Sequence, residues 1–453
     1  MRLLHLSDIH FKSPDCLDPQ RYPEVAYRTR LEIDLADRCR ADQIRVDAIL
    51  IGGDIAYKGE AEEYKAAADW LLKISKICGC GPEGIFTVPG NHDMNRKVCE
   101  KPSVAALQKA IAGGTTLFAR DAEFDRQLKD IDAAKQLFSP LAAYNTFAAP
   151  FDCNVYPDRP FWIHDLDLNA DVKLRLFGLT STFISGSGDR DNAPARLFLG
   201  STQTTLNPEP DVVNLVLCHH PPSWFTDGTE SNKIINARAM LQFFGHEHDQ
   251  RCDRLPTYTR FSAGAVNPER DKPGWNPGYN LIDLCVVGEG MGRELQVTGQ
   301  LRRLQPPPQE FYVALEAYKG QPNWCHKMSI AAPPPVFSDS LARDPQPVHK
   351  VETKIAQSVH QALLEVGAEV PYHLKEEQQH LINLPRPSTQ NLAHRYWQLT
   401  GSQMREIAYL LELMTEADLQ VPQEERYSKV LKAVKEKGLV EVLAQYIEQY
   451  EKN

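Results

Sequence analysis

The sequence predicts an α/β domain, then a proline-rich connection, then a small all-α module. Three observations carry this. Up to about residue 300, short apolar runs ending in Gly, Ser, His or Asp clusters alternate with amphipathic stretches. Buried strands that deliver polar side chains at their carboxyl ends produce that pattern. From Leu304 onward prolines crowd together, and after about residue 388 the apolar residues recur at helical spacing.

Taken in order, Arg2–Leu6, Asp47–Ile51, Ile85–Val88, Leu174–Leu179, Val212–Leu217 and Leu241–Phe244 each read as a short buried strand. Ala61–Cys78 places Tyr64, Ala68, Leu71, Leu72 and Ile74 on one helical face. Tyr258–Ser262, Tyr279–Val287 and Glu294–Leu301 follow one another without helices, which fits a second, more antiparallel layer. Residues 97–173 read as a helical insertion, with helices over Ser103–Ile111 and Leu117–Tyr144 that cap a pocket or pack on a flank. The α/β domain is therefore expected to span residues 1–303, and a chain cut after Gly299–Arg303 to fold.

Residues 304–387 form the expected linker. Pro306, Pro307, Pro308, Pro322, Pro333, Pro334, Pro335, Pro345 and Pro347 lack the N–H that helices and central strands require. Residues 305–349 are thus expected to be mostly extended, docked through Phe311, Tyr312, Tyr318 and Trp324, with a helix over Val351–Val366. In 388–453, Met404, Ile407, Ala408, Leu411 and Met414 share a face. So do Tyr427, Val430, Leu431 and Val434, and then Leu439, Val442, Leu443, Tyr446, Ile447 and Tyr450.

Composition narrows the function. A net charge of -10 excludes a global electrostatic clamp on nucleic acid and leaves room only for a local patch. His5, Ser7 and Asp8 interrupt the first apolar run, so it makes no signal-peptide core. No stretch reaches the ~18 apolar residues of a membrane span. Ten scattered cysteines without a CxxC read as reduced thiols rather than a disulfide scaffold or zinc ribbon. The expectation is a cytoplasmic protein with no membrane partner.

The chemistry resides in five polar clusters, each after an apolar run: Asp8-Ile9-His10, Gly53-Asp54, Gly90-Asn91-His92-Asp93, His219-His220-Pro221 and Gly245-His246-Glu247-His248. Taken singly, each is an ordinary turn, cap or strand exit. All five in order are hard to explain that way. Histidine and carboxylate together suit Mn, Fe, Co or Zn better than Mg. There are too many ligands for one ion, and two ions ~3.5–4 Å apart need a shared carboxylate.

The order DxH, GD, GNHD, H, GHxH resembles the calcineurin-like metallophosphoesterase superfamily over residues 1–300. That resemblance implies a four-layer αββα sandwich and two divalent transition metal ions, Mn first. It implies a first ion held by Asp8, His10, Asp54 and His248, and a second by Asp54, Asn91, His219 and His246. Asp54 bridges, and His92 is the catalytic histidine, not a ligand. Cys218-His219-His220-Pro221 stands where the family has a GHxP-like stretch, which favours His219 over His220. Asp93 either orients His92 or closes the turn. Asn192, Arg196 and Trp224 are candidate substrate contacts, with packing as the alternative.

The expected reaction is hydrolysis of a nucleotide or nucleic-acid phosphodiester by metal-activated hydroxide, as in a nuclease or cyclic-nucleotide phosphodiesterase. Phosphomonoester hydrolysis on the same site, or a non-catalytic recruitment scaffold, are the alternatives. The GDxVDRG and GNHE forms of the protein-phosphatase branch are absent. Tyr396-Trp397, the Met404–Met414 helix and the Leu439–Tyr450 helix resemble the death-like or effector-associated adaptor domains of bacterial conflict proteins. That implies an effector recruited by a protein partner, or self-association, through 388–453.

Overall fold

In the computed structural model, thirteen strands among the described residues form two sheets. The structure describes residues 1–331, apart from 19, 21, 23, 43–44, 187–195, 268–276, 306–309 and 315–323. It also describes 392, 395–396, 399, 401–415, 418 and 423–451. The chain splits into two compact units, Met1–Pro334 and Pro335–Asn453.

In the first sheet β1 (Arg2–Leu6), β2 (Ala48–Ile51) and β3 (Ile85–Thr87) run parallel. The apolar run of β2, and that of β3 up to the buried Thr87, match burial on both faces. The crossovers carry α1 (Val25–Asp42) and α2 (Ala61–Cys78), tied together by the Trp70 Nε1–H, which donates to Glu32 Oε1 at 2.9 Å. The second sheet orders β4 (Trp162–Asp167), β5 (Lys173–Leu179), β6 (Val212–Cys218), β7 (Leu241–Phe244), β9 (Tyr258–Ser262) and β8 (Arg251–Leu255).

Strand periodicity explains the stacking. On β5 and β6, Leu174, Leu176, Leu215 and Leu217 join the core shared with β1–β3. Their alternates Phe177, Leu179, Val216 and Cys218 join a separate cluster with Phe225 and Ile235, the latter on α8 (Gly228–Arg238). Residues two apart share a face, so one face of this sheet packs on the first sheet and the other on a helix. The αββα architecture expected from the sequence follows.

Two boundaries differ from expectation. The helical insertion ends sooner: helices α3 (Arg96–Cys99), α4 (Pro102–Ala112), α5 (Leu117–Lys129), α6 (Ile131–Phe138) and α7 (Ala142–Ala148) precede β4, which is an edge strand of the second sheet. Its burial alternates, Trp162 in and Ile163 out, but a single edge strand inside a helical stretch leaves a weak sequence signal. The linker also begins later. Beyond β10 (Gly278–Val287) and β11 (Glu294–Leu304), the chain adds β12 (Phe311–Val313) and β13 (Trp324–Ser329). Both pair antiparallel with β11, so residues 311–313 and 324–329 belong to the first sheet. Proline is tolerated beside edge strands; β12 turns back on the end of β11 as a hairpin, and the stretch of β11 that pairs with β13 lies farther back in the chain. The Val351–Val366 helix and the rest of 332–391 lie outside the described residues.

The correction moves the cut. Phe311, Trp324 and Met328 are buried, and removing them exposes at least about 5 kcal/mol of apolar burial. A 1–303 chain is expected to unfold roughly 10 °C or more below a 1–331 chain, or to precipitate. Thermal unfolding of the two truncates decides it, and equal midpoints would restore the earlier boundary.

In the second unit, helices Gly401–Leu410, Gln423–Glu436 and Val440–Glu451 surround Tyr396, Met404, Ile407, Tyr427, Val430, Leu443 and Ile447. The Tyr396 hydroxyl donates to the Met404 carbonyl at 2.9 Å, which pairs the one polar atom of a buried ring. Trp397 lies outside the described residues.

Candidate metal centre

All five polar clusters leave the carboxyl ends of parallel strands: β1, β2 and β3 of one sheet, β6 and β7 of the other. The backbone there is bent into the left-handed region. Asp8 (φ 54°), His10 (φ 50°), Asp54 (φ 52°), His246 (φ 67°) and His248 (φ 55°) all adopt it without being glycine. Each costs on the order of 1–2 kcal/mol, strain that the surroundings must hold. Part of the hold is visible: Asp8 N–H donates to the Gly53 carbonyl at 3.0 Å, and Ile9 and His10 N–H donate to the Asp54 carbonyl at 2.9 and 3.0 Å. At Gly90 a Cβ would lie 2.2 Å from Asp54 Oδ1, so only glycine lets the third loop close on the second.

The seven sequence-predicted ligands come together. Asp8 Oδ1 lies 3.0 Å from His248 Nε2 and 3.9 Å from His10 Nε2, and Asp8 Oδ2 accepts the His246 N–H at 3.2 Å. Asp54 Oδ2 lies 3.3 Å from His219 Nε2 and 3.9 Å from His10 Nε2. Asn91 Oδ1 lies 3.2 Å from His219 Nε2. The His246 ring sits 5.3 Å from the His219 ring and edge-on to Trp224 at 4.1 Å. Candidate ligand atoms of Asp8, Asp54 and His219, and of Asp8, His10 and His248, lie within 4.8 Å of one another in each set.

The hydrogen-bond partners distinguish the two adjacent histidines. His219 Nδ1 lies 2.7 Å from the Gly52 carbonyl, which can only accept, so Nδ1 carries a proton. In the neutral ring, Nε2 then aims a lone pair at Asp54 Oδ2 and Asn91 Oδ1. Three lone pairs converge unless a positive charge lies among them, a proton or a metal ion. His220 differs. The Ser181 hydroxyl accepts the His220 N–H at 3.4 Å and lies 2.8 Å from His220 Nδ1. Its Nε2 lies 3.2 Å from Asn91 Oδ1, as close as that of His219. His219 faces the carboxylate of Asp54 at 3.3 Å, while His220 groups with His219 and His246 as a further candidate ligand.

The electrostatics agree with a cation site. Asp8 and Asp54 are buried, and among the described residues no Lys or Arg pairs with either. Burial opposes their charge, but His248 and His219 beside Asp8, and His219 and His92 beside Asp54, hold both carboxyls below the usual range. Burial and the neighbouring His92 lower His10 to about 3, and burial and His219 lower His246 to about 3. Both rings therefore offer lone pairs at neutral pH. At His219 burial is outweighed by Asp54, and the pKa rises to about 9. These N and O donors fit a borderline divalent ion.

His92 stands slightly apart. Its N–H donates to Asp54 Oδ1 at 2.8 Å, and its Nδ1–H donates to the Tyr57 carbonyl at 2.9 Å, leaving Nε2 to the site. Asp93 does not orient it. That buried carboxylate accepts N–H groups of Gly90 at 2.8 Å and Ala56 at 2.9 Å and the Tyr64 hydroxyl at 2.8 Å, so it closes the turn. Burial, then Asp54, push its pKa up to about 6. Trp224 packs on His246, and the Arg196 N–H donates to the Trp224 carbonyl at 3.1 Å. Asn192 lies outside the described residues. Sequence reading missed Ser181 and the Tyr57 carbonyl; neither carries a motif that could have revealed it.

Two stacked sheets that bring histidine, carboxylate and amide side chains from five strand ends to one buried point define a metallophosphoesterase fold with a metal-binding site. A family model described as calcineurin-like phosphoesterase matches residues 1–250, more than half of the 453. The chain belongs to the calcineurin-like phosphoesterase family. A second family model, described as a GTPase-associated adaptor domain, matches residues 388–449. YydB of Bacillus subtilis (strain 168), a metallophosphoesterase-like protein, is 30% identical over 112 residues, 24% of this chain and 21% of that one. The match thus spans about a fifth of the curated relative's length.

Similar solved structures include GAP50, the anchor in the inner membrane complex of Plasmodium. It is 12% identical, with 73% of this chain and 89% of that chain covered and a TM-score of 0.37. Entamoeba histolytica Vps29 complexed with Zn is 11% identical, with 73% and 99% covered and a TM-score of 0.28. Among the described residues no helix is long and apolar enough to cross a membrane.

Proposed function

We propose that this protein is a dinuclear metal-dependent phosphodiesterase acting on a nucleotide or nucleic acid. Asp8, His10, Asp54 and His248 would hold one divalent ion, and Asp54, Asn91, His219 and His246 the other, with Mn first among Mn, Fe, Co and Zn. The observation that carries this is the grouping of candidate ligand atoms from Asp8, His10 and His248, and from Asp8, Asp54 and His219, within 4.8 Å of one another in each set. Bound there, two ions offset phosphoryl charge and make water nucleophilic near neutral pH. The chain's own part is His92. Its ring is pinned at Nδ1 by the Tyr57 carbonyl, so Nε2 is placed to stabilise the phosphoryl group or protonate the leaving oxygen.

A diester is the favoured substrate because the GDxVDRG and GNHE forms of the protein-phosphatase branch are absent from the sequence. Mn-loaded protein is therefore expected to cleave bis(p-nitrophenyl) phosphate with at least about tenfold higher kcat/KM than p-nitrophenyl phosphate, roughly 1.4 kcal/mol of discrimination. A preference for the monoester would make it a phosphomonoesterase, and no turnover of either a recruitment scaffold. The match of 388–449 to a GTPase-associated adaptor domain supports recruitment by a partner protein through this unit, with self-association as the other outcome of a pull-down. Ten free thiols support a cytoplasmic setting.

A further inference from the structure

Beside the metal centre lies a cavity of about 450 Å³ whose walls include Pro221, Ser223, Thr229, Asn232, Arg251 and Arg260. It adjoins the site twice over. Pro221 follows His220 directly in the chain. Arg251 Nη2 pairs at 2.8 Å with Glu247 Oε2, and Glu247 sits between His246 and His248. A volume of this size is ordinary for a small-molecule or nucleotide subsite.

The two arginines differ in charge balance. Arg251 is neutralised by Glu247 and by Asp249, the latter at 2.8 Å. Arg260 pairs with no carboxylate within ion-pair distance among the described residues. Its Nε–H donates to Gln242 Oε1 at 2.8 Å, and its Nη2–H donates to Asn232 Oδ1 at 2.7 Å and Asn236 Oδ1 at 2.8 Å. Its guanidinium stacks at 5.3 Å from Phe244 and 5.4 Å from Tyr258. Gln242 is itself fixed, donating to the Ala239 carbonyl at 3.1 Å. Neutral amides orient the fork, and the carboxylates of Asp253 and Glu247 favour its charge only from beyond ion-pair distance. A half-buried charge without a carboxylate in contact is costly, and an arginine already held in place loses little freedom when an anion arrives.

We propose that this cavity takes a second phosphate of the substrate, so that the enzyme acts on oligonucleotides or nucleic-acid strands rather than on a cyclic mononucleotide. This rests on the phosphodiesterase reading for the scissile group alone. Ser223 and Thr229 supply hydroxyl donors on the same wall, and Arg260 supplies the charge.

The test uses the full chain, with Arg260→Gln and Asn232→Asp as variants. Asn232→Asp places a carboxylate against Arg260, so it cancels the charge while keeping the fork, and it stands in should Arg260→Gln fold poorly. With chelator present to stop hydrolysis, anisotropy of a labelled oligothymidylate is followed against salt. Both variants are expected to bind about tenfold more weakly, with the log–log salt slope reduced by about 1. With Mn, kcat/KM for a thymidine dinucleotide bearing a 5′-phosphate is divided by that for the same dinucleotide without it. That ratio is expected to fall about tenfold in both variants.

An unchanged slope and ratio in folded variants would overturn the subsite while leaving diester hydrolysis standing. A strand bound through Arg260 but never cleaved would retire the phosphodiesterase reading and leave the subsite. If inorganic phosphate protects wild type but not Asn232→Asp against thermal unfolding, while both bind the strand equally, the cavity holds free phosphate and the substrate assignment falls.

Discussion

Asp54→Asn is expected to take the metal content from two ions per chain to at most one and to reduce diester hydrolysis by on the order of 10³-fold or more, roughly 4 kcal/mol of transition-state stabilisation. The argument begins with shape. Asn preserves the size of the side chain, and the backbone carbonyl of residue 54 still accepts from Ile9 and His10. The loop should therefore stay closed. What changes is charge: Oδ2 faces His219 and His10 at 3.3 and 3.9 Å, and an amide there cannot be a shared anionic ligand. Elemental analysis and diester kinetics on the same preparation check it. Full activity of chelator-stripped wild type, without added metal, would sink the metal proposal itself.

His92→Ala is expected to keep both ions and to lose about 10²–10⁴-fold in kcat, the range for a positioned proton-transfer group. The separation of effects follows from geometry. The hydrogen bond that ties this residue to the bridge is made by its backbone N–H to Asp54 Oδ1 at 2.8 Å, and alanine retains it. The ring contributes the bond to the Tyr57 carbonyl, packing against the His10 and Tyr57 rings at 4.8 and 4.9 Å, and the Nε2 left facing the site. The competing possibility is concrete, because His10, Asp54 and His92 could also surround an ion. A variant that loses an ion together with its activity would make His92 a ligand.

Much of this molecule is legible locally. Strands β1, β7 and β9 and helix α2 fall where apolar periodicity places them, since a run buried on both faces, or a face recurring at helical spacing, is written in consecutive residues. The same holds for the chemical types at the site, because each ligand sits in a short turn at a strand end. Strands β12 and β13 were not legible. Their three and six residues become strands only because β11 offers them a free edge.

Roles inside the site divide in the same way. The sequence by itself determined which side chains could bind metal and the order in which the strands deliver them. It left His219 and His220 nearly equivalent, gave Asp93 two roles, and left Arg260 unremarked. Tertiary structure decided the last two and set His219 against Asp54. Gly52, distant in sequence, sets which ring nitrogen of His219 carries the proton. The N–H groups of Ile55 and Ala56 claim Asp93, and three neutral amides hold Arg260 without a carboxylate. The physical reason is common to them: residue type is a local property, whereas the direction of a lone pair and the balance of a buried charge depend on whatever the fold brings within hydrogen-bond distance.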